Sequence, residues 1–364
     1  MRVLFYASNG HGLGHVMRTL GIARALRRLV PETQFLFLTN SDAPHLISRD
    51  SFPVVKMLSP KPGPEDGRND EARKINLGVA QATITRFDPD VIAVDFFPQG
   101  QLGSLAWIGQ HRARKIFIAR EPHPADPHGA RRNAQIEAIH DVIIAPHRPD
   151  EQVKMETSKP VHYVGPILVR SRDEAMPRSQ ARRALGVPAD AFLVYVGFGG
   201  GGRPDIIQSR NWILSVCGRF PQWTFAVARP PLDYGPPLDL GAANAIEFSY
   251  APLAECWPAF DLAISGLSYN STAELLHQGV PTLFVELKEP WDDWARRGRM
   301  ITDAGAGLTI RFGDEEALIT SLETLASASR REVIAKAARD MIPENGASRA
   351  AAVILEEARR IGIS

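Results

Sequence analysis

At 364 residues the chain is longer than one core ordinarily serves, so two domains are expected. Hydrophobic residues at 44% and charged residues at 23% exclude wholesale disorder, and a net charge of +1 lacks the basic excess that phosphate binding along a nucleic acid demands. With Cys217 and Cys256 as its only cysteines, the chain builds neither a disulfide scaffold nor a cysteine-rich zinc site.

Short β-branched or aromatic runs alternate with longer helical patterns. In the first half, strands are predicted over 3–7, 34–39, 54–58, 91–95, 115–119 and 142–145, with helices over 16–29, 71–87, 103–111 and 130–140. A break follows near 163–172, where Gly165-Pro166 interrupts the pattern. The second half repeats the plan, with strands over 192–196, 223–228, 245–248, 262–265, 282–285 and 308–310. Its helices are predicted over 204–219, 271–278, 292–304, 315–326 and 330–341, and an amphipathic helix ends the chain after Gly346. The strands are continuous apolar runs, as sheets buried on both faces require. The expected fold class is therefore α/β: two open parallel-sheet domains of Rossmann-like plan, 1–165 and 166–345, with strand ends facing a cleft. The first seven residues read as a strand and not as a signal peptide, and no apolar run approaches the ~20 residues of a membrane span. A cytoplasmic protein is expected.

In open α/β sheets the loops after strands hold the chemistry. The first such loop, SNGHGLGHVMR over 8–18, carries Gly10, Gly12 and Gly14 and opens a helix, whose unpaired N–H groups suit an anion. It is neither a dinucleotide fingerprint nor a P-loop. His15 stands at the helix start, where the local dipole disfavours an imidazolium, and is the preferred general base, with His11 behind it. The alternative is a tight turn with a structural histidine. Asp95 ends a buried strand and is a second candidate base, or else caps the next turn.

The loop GFGGGG over 197–202 matches a dinucleotide pattern at Gly197, Gly199 and Gly202, yet the following strand ends in Arg229 without the acidic residue that pattern needs. Gly199 and Gly200 suit a looser phosphate cradle. The block LAISGLSYNSTAELLHQGVP over 262–281 places Gly266 at a strand end and Asn270, Ser271 and Thr272 at a helix start, with Glu274 one turn in. Glu274 can accept from a ribose diol. Ser271 to Glu274 also spells a capping box, and the local pattern leaves both readings open.

These blocks, with VDFFPQG over 94–100, resemble the GT-B nucleotide-sugar glycosyltransferases, in particular the N-acetylglucosaminyltransferases that form lipid II. The resemblance implies an acceptor-binding first domain, a donor-binding second domain and a last helix, 346–364, that returns to the first. It implies transfer from a nucleotide-diphosphate sugar, UDP-linked by preference, to an acceptor hydroxyl, with no metal and no cofactor beyond that co-substrate. It assigns the ribose to Glu274, phosphate to Ser271 and Thr272, the base to the backbone around Phe248 and Tyr250, and the histidine of its first glycine loop to His15; beside these, the loop reading adds Gly14, Gly199, Gly200, Gly266 and Asn270 as expected nucleotide contacts. Where that family often has Asp-Gln and then Asn-Ala, this chain has Asp293-Trp294 and Arg297-Gly298. N-acetylglucosamine as donor is thereby in doubt, and Asp292 and Asp293 become the expected sugar contacts.

The stretch GLGHVMR over 12–18 also resembles the UDP-sugar hydrolase of pseudaminic acid synthesis, which hands water to the sugar; a sugar-nucleotide 2-epimerase is a more distant alternative. The run EPHPADPHG over 121–129 has histidines and aspartates, but its prolines prevent a helix that would align metal ligands, so an acceptor-contacting loop is expected. Basic stretches at 112–115 and 131–132 leave peripheral contact with an anionic membrane open.

Overall fold

A computed structural model describes the chain except residues 9–11, 61–68, 121–127, 150–154, 156, 200–203, 234, 289–291 and 364. The chain divides into two compact units: Met1–Val169 with Gly346–Ser364, and Arg170–Asn345.

The first unit holds a seven-stranded sheet: β1 Arg2–Ala7, β2 Gln34–Thr39, β3 Val54–Lys56, β4 Val91–Asp95, β5 Arg114–Ile118, β6 Val142–Ala145 and β7 Val161–Tyr163. Every pairing is parallel, in the order β3-β2-β1-β4-β5-β6-β7. The inner strands β1, β4, β5 and β6 are buried along nearly their whole length, which explains why apolar residues run through them without alternation, whereas β3 and β7 at the sheet edges are only half-buried. Helices α1 Gly14–Leu29, α2 His45–Arg49, α3 Asp70–Phe87 and α4 Gly129–Ile139 connect them. The helix expected over 103–111 is instead a pair of short 3₁₀ turns, Gln101–Gly103 and Ile108–Gln110. Gly100 and Gly103 both take positive φ there, a conformation that interrupts helical hydrogen bonding.

The second unit holds a six-stranded sheet: β8 Phe192–Gly197, β9 Trp223–Ala228, β10 Ala245–Phe248, β11 Leu262–Gly266, β12 Thr282–Glu286 and β13 Leu308–Arg311. These also pair in parallel, in the order β10-β9-β8-β11-β12-β13. Its helices are α5 Arg178–Leu185, α6 Pro204–Val216, α7 Tyr269–Gln278, α8 Trp294–Asp303, α9 Glu315–Ala326 and α10 Ala328–Met341. A last helix, α11 Ala347–Arg360, lies against α1 in the first unit, where it buries Ala350, Ala351, Ile354 and Ala358.

Each sheet has one point where strand order reverses, between β1 and β4 in the first and between β8 and β11 in the second. Loops leaving the carboxyl ends of such neighbouring strands diverge and leave room for a ligand. His15 follows β1 and Asp95 ends β4; Gly199 follows β8 and the α7 start follows β11.

Candidate active site

In the first unit the reversal point brings together residues far apart in sequence. His15 is the second residue of α1, whose N-cap, Leu13, offers no side-chain bond. Its Nδ1 lies 2.7 Å from Asp95 Oδ1, and the imidazole keeps 19% of its side-chain surface open while Asp95 has none. One turn along α1, Arg18 grips the same carboxylate, with Nε 2.7 Å from Oδ2 and Nη2 2.6 Å from Oδ1. Burial alone would raise the Asp95 carboxyl, but the charges of Arg18 and His15 and their hydrogen bonds outweigh it and hold it below the ordinary carboxylate value. An ionised Asp95 accepts only, so the short contact requires a proton on Nδ1, and in the neutral imidazole Nε2 is then the acceptor. Nε2 makes no hydrogen bond to a described residue. Asp95, expected as a second proton acceptor or a turn cap, is a fully buried carboxylate taken up by Arg18 and His15. His11 lies outside the described residues. Gly14 opens α1 in the first unit, whereas the other expected nucleotide contacts belong to the second.

Phe96, next after Asp95, has a φ of +65°, a conformation costly for a bulky residue. It aims the ring across the imidazole, with centroids 5.2 Å apart and planes within 18°. The guanidinium carbons of Arg120 and Arg132 each lie 5.7 Å from the Phe96 centroid. Sequence reasoning missed Phe96 and Arg18, although Arg18 stands one helical turn from His15 in the GLGHVMR stretch and shares its face.

In the second unit, β8 and β11 run side by side with Gly197 opposite Ser265. Gly199 takes a φ of +87° beside the Ser268 hydroxyl; Gly200 lies outside the described residues. A Cβ on Gly266 would stand 2.8 Å from Trp294 Cη2, so the absent side chain is what admits the indole. Helix α7 begins at Tyr269 with Ser268 as N-cap, two residues earlier than expected. Ser271 and Glu274 therefore stand inside the helix, and the capping-box reading falls. The Thr272 N–H is already given to the Ser268 carbonyl at 3.0 Å, and its hydroxyl is buried with no partner. Asn270 and Ser271 precede the first completed helical bond, where N–H groups have no intrahelical acceptor.

Glu274 packs beside Trp257, whose indole Nε1 donates to Oε2 at 3.3 Å. Burial pushes its carboxyl up to about 7, against the lowering effect of that bond and of Arg170. Around it, Arg170 binds Glu255 (Nη2–Oε1 2.7 Å), and the Tyr250 hydroxyl donates to the other Glu255 oxygen at 2.8 Å. Phe248 is a core side chain at 5% exposure, and its carbonyl accepts from the Arg229 N–H. Arg229 pairs with Glu247 at 3.0 Å and donates to the carbonyls of Asp233 and Pro236.

The expected sugar contacts are also engaged. Asp293 caps α8, accepting the Arg296 N–H at 2.9 Å. Asp292 forms a paired bond with Arg297 (2.7 and 3.0 Å), and Arg297 also donates to the Leu267 carbonyl. Trp294 is 7% exposed, packed against Gly266. Trp294 and Arg297 thus bind α8 to the end of β11 and to the loop before α7. Among the described residues no group of three His, Cys, Asp or Glu side chains is placed to hold a metal, and no helix is long and apolar enough to cross a membrane. Most of the 121–129 run lies outside the described residues.

No family model matches the chain. It is 23% identical over 374 residues to the UDP-N-acetylglucosamine--N-acetylmuramyl-(pentapeptide) pyrophosphoryl-undecaprenol N-acetylglucosamine transferase of a Nocardioides strain, covering 98% of each chain. Among solved structures, the glycotransferase of kitacinnamycin matches 98% of both chains at 15% identity and a TM-score of 0.68. MurG of Acinetobacter baumannii matches 98% of this chain and 99% of its own at 16% identity and a TM-score of 0.57. The solved structures establish the fold: GT-B, with a parallel sheet in each unit. The end-to-end likeness to the Nocardioides enzyme adds the class, a glycosyltransferase.

Proposed function

We propose that the chain moves a sugar from a nucleoside-diphosphate donor, a UDP-sugar in first place, to an acceptor hydroxyl in the cytoplasm, with His15 as general base. The observation that carries this reading is the 2.7 Å contact between His15 Nδ1 and Asp95 Oδ1, with Nε2 on a partly open ring and making no hydrogen bond to a described residue. In the proposed step the acceptor O–H gives its proton to Nε2 as its oxygen bonds the anomeric carbon. The bond from that carbon to the diphosphate oxygen breaks, and the diphosphate leaves with the electron pair. Asp95 stabilises the imidazolium that forms. The donor belongs to the second unit in this reading: Glu274 takes the ribose hydroxyls, and the N–H groups of Asn270 and Ser271 with the α7 dipole meet the leaving charge. That arrangement supplies the electrostatic help without a metal.

The test is incubation with UDP-, GDP- and dTDP-sugars, with and without a cell extract as a source of acceptors. Nucleoside diphosphate release that depends on the extract, persists in EDTA and falls at least about a hundredfold in kcat in His15→Ala is the expected result. Equal release in plain buffer would make the chain a hydrolase, and loss in EDTA would overturn metal independence.

A further inference from the structure

Arg18 is a charged side chain only 5% exposed, yet the proposed step does not use it. Its fork lies along the Asp95 carboxylate, and its Nη2 stands 3.3 Å from His15 Nδ1. A guanidinium only donates, so it cannot share the Nδ1 proton; both groups give their hydrogens to Asp95 Oδ1. The bidentate grip fixes the plane of the carboxylate and with it the direction from which the imidazole is met. We propose that Arg18 is a positioning residue for the transfer: it holds Asp95 where that carboxylate meets His15 at Nδ1, and its charge offsets that of Asp95, so that the imidazole is not locked as an imidazolium.

The inference rests on the reading of His15 as base. A buried Asp alone favours the charged form of a neighbouring imidazole; an Arg–Asp pair with no net charge favours it far less. A base that is already protonated accepts nothing, so a pair with no net charge suits a neighbouring proton acceptor better than a lone carboxylate does. Among the described residues, the charged groups around the ring are Asp95 at the end of β4, Arg18 on α1, and Arg120 and Arg132 reaching Phe96 from beyond β5 and from α4. Both of the latter are positive and stay in place when Arg18 is changed.

The experiment is an NMR titration of the histidine Cε1–H signals in the full chain, with the His15 signal assigned by its loss in His15→Gln. Arg18→Gln is expected to move the His15 midpoint up by about one pH unit, whereas Arg18→Lys, which keeps the charge and loses the fork, leaves it within about a third of a unit. In the donor assay, Arg18→Lys lowers kcat several-fold with donor KM unchanged. An Arg18→Gln protein that melts as the parent does and titrates at the parent's midpoint overturns the inference; should that variant not fold, an Arg18→Lys protein with unchanged kcat overturns it. A His15→Gln protein that keeps full transfer activity overturns the reading of the base, a separate outcome.

Discussion

Glu274 is under two opposed demands. Folding buries its carboxyl and pushes it up to about 7, while a ribose diol is bound best by a carboxylate that accepts from both hydroxyls. The linkage has a definite sign. Below the ordinary value of 4.5 the group is neutral in folded and unfolded chains and contributes nothing; between there and about 7 the unfolded chain ionises first, and folding loses stability as pH rises. Above about 7 the loss is complete, at up to about 3 kcal/mol. Glu274→Gln is therefore expected to melt higher than the parent at pH 8 and level with it at pH 4, by calorimetry. The same variant should bind UDP about tenfold more weakly at pH 8 by titration calorimetry. Parent affinity should fall as pH drops through 7 while the variant's stays flat. A variant less stable at pH 8, with parental UDP binding, would make Glu274 a packing residue and nothing more.

At the scale of elements, the start of α8 shows how a side chain that looks available for a ligand is taken by the fold. Asp292 and Asp293 were expected at a sugar, but Asp293 closes the helix end on the Arg296 N–H and Asp292 neutralises the buried Arg297. Sequence could not reveal this, because the cap position depends on where the helix begins, and helix starts are set by the packing of Trp294 over Gly266 as much as by local preference. The same uncertainty moved α7 back to Tyr269 and undid the capping box at Ser271. Strands suffered less: a buried parallel strand is a plain apolar run, and β8 to β13 were all legible. An isosteric change separates cap from contact. Asp293→Asn keeps a capping oxygen and should leave both melting temperature and donor KM near those of the parent, whereas Asp293→Ala should lose about 1 kcal/mol on chemical denaturation. A marked rise in donor KM in the Asn variant would restore the sugar contact.

For the whole molecule, what sequence could not supply was strand order. The glycine loops were visible as loops after strands, but only the reversal points between β1 and β4 and between β8 and β11 explain why these loops, out of a dozen, carry candidate chemistry. Asp95 and His15 are 80 residues apart, and no local pattern joins them. The path of the chain is a second global feature. It leaves the first unit after Val169 and returns at Gly346, whose N–H bonds the Pro166 carbonyl at 2.7 Å; a Cβ at Gly346 would strike the carbonyls of Val164 and Gly165. From there α11 covers α1 and fixes Glu357, fully buried, on Arg114 at 2.6 Å. The first unit's core is thus closed by the last helix to be made. Truncation after residue 345 should uncover α1, strand Arg114 without Glu357 and remove several kcal/mol from the first unit alone. The expected calorimetric result is a transition lowered by more than about 10 °C for the first unit, with that of Arg170–Asn345 unmoved. Near-UV dichroism of the second unit's tryptophans, Trp212, Trp223, Trp257, Trp291 and Trp294, assigns the surviving transition, because the first unit has only Trp107. If both transitions fell together, α11 would be supporting the entire chain and not the first unit.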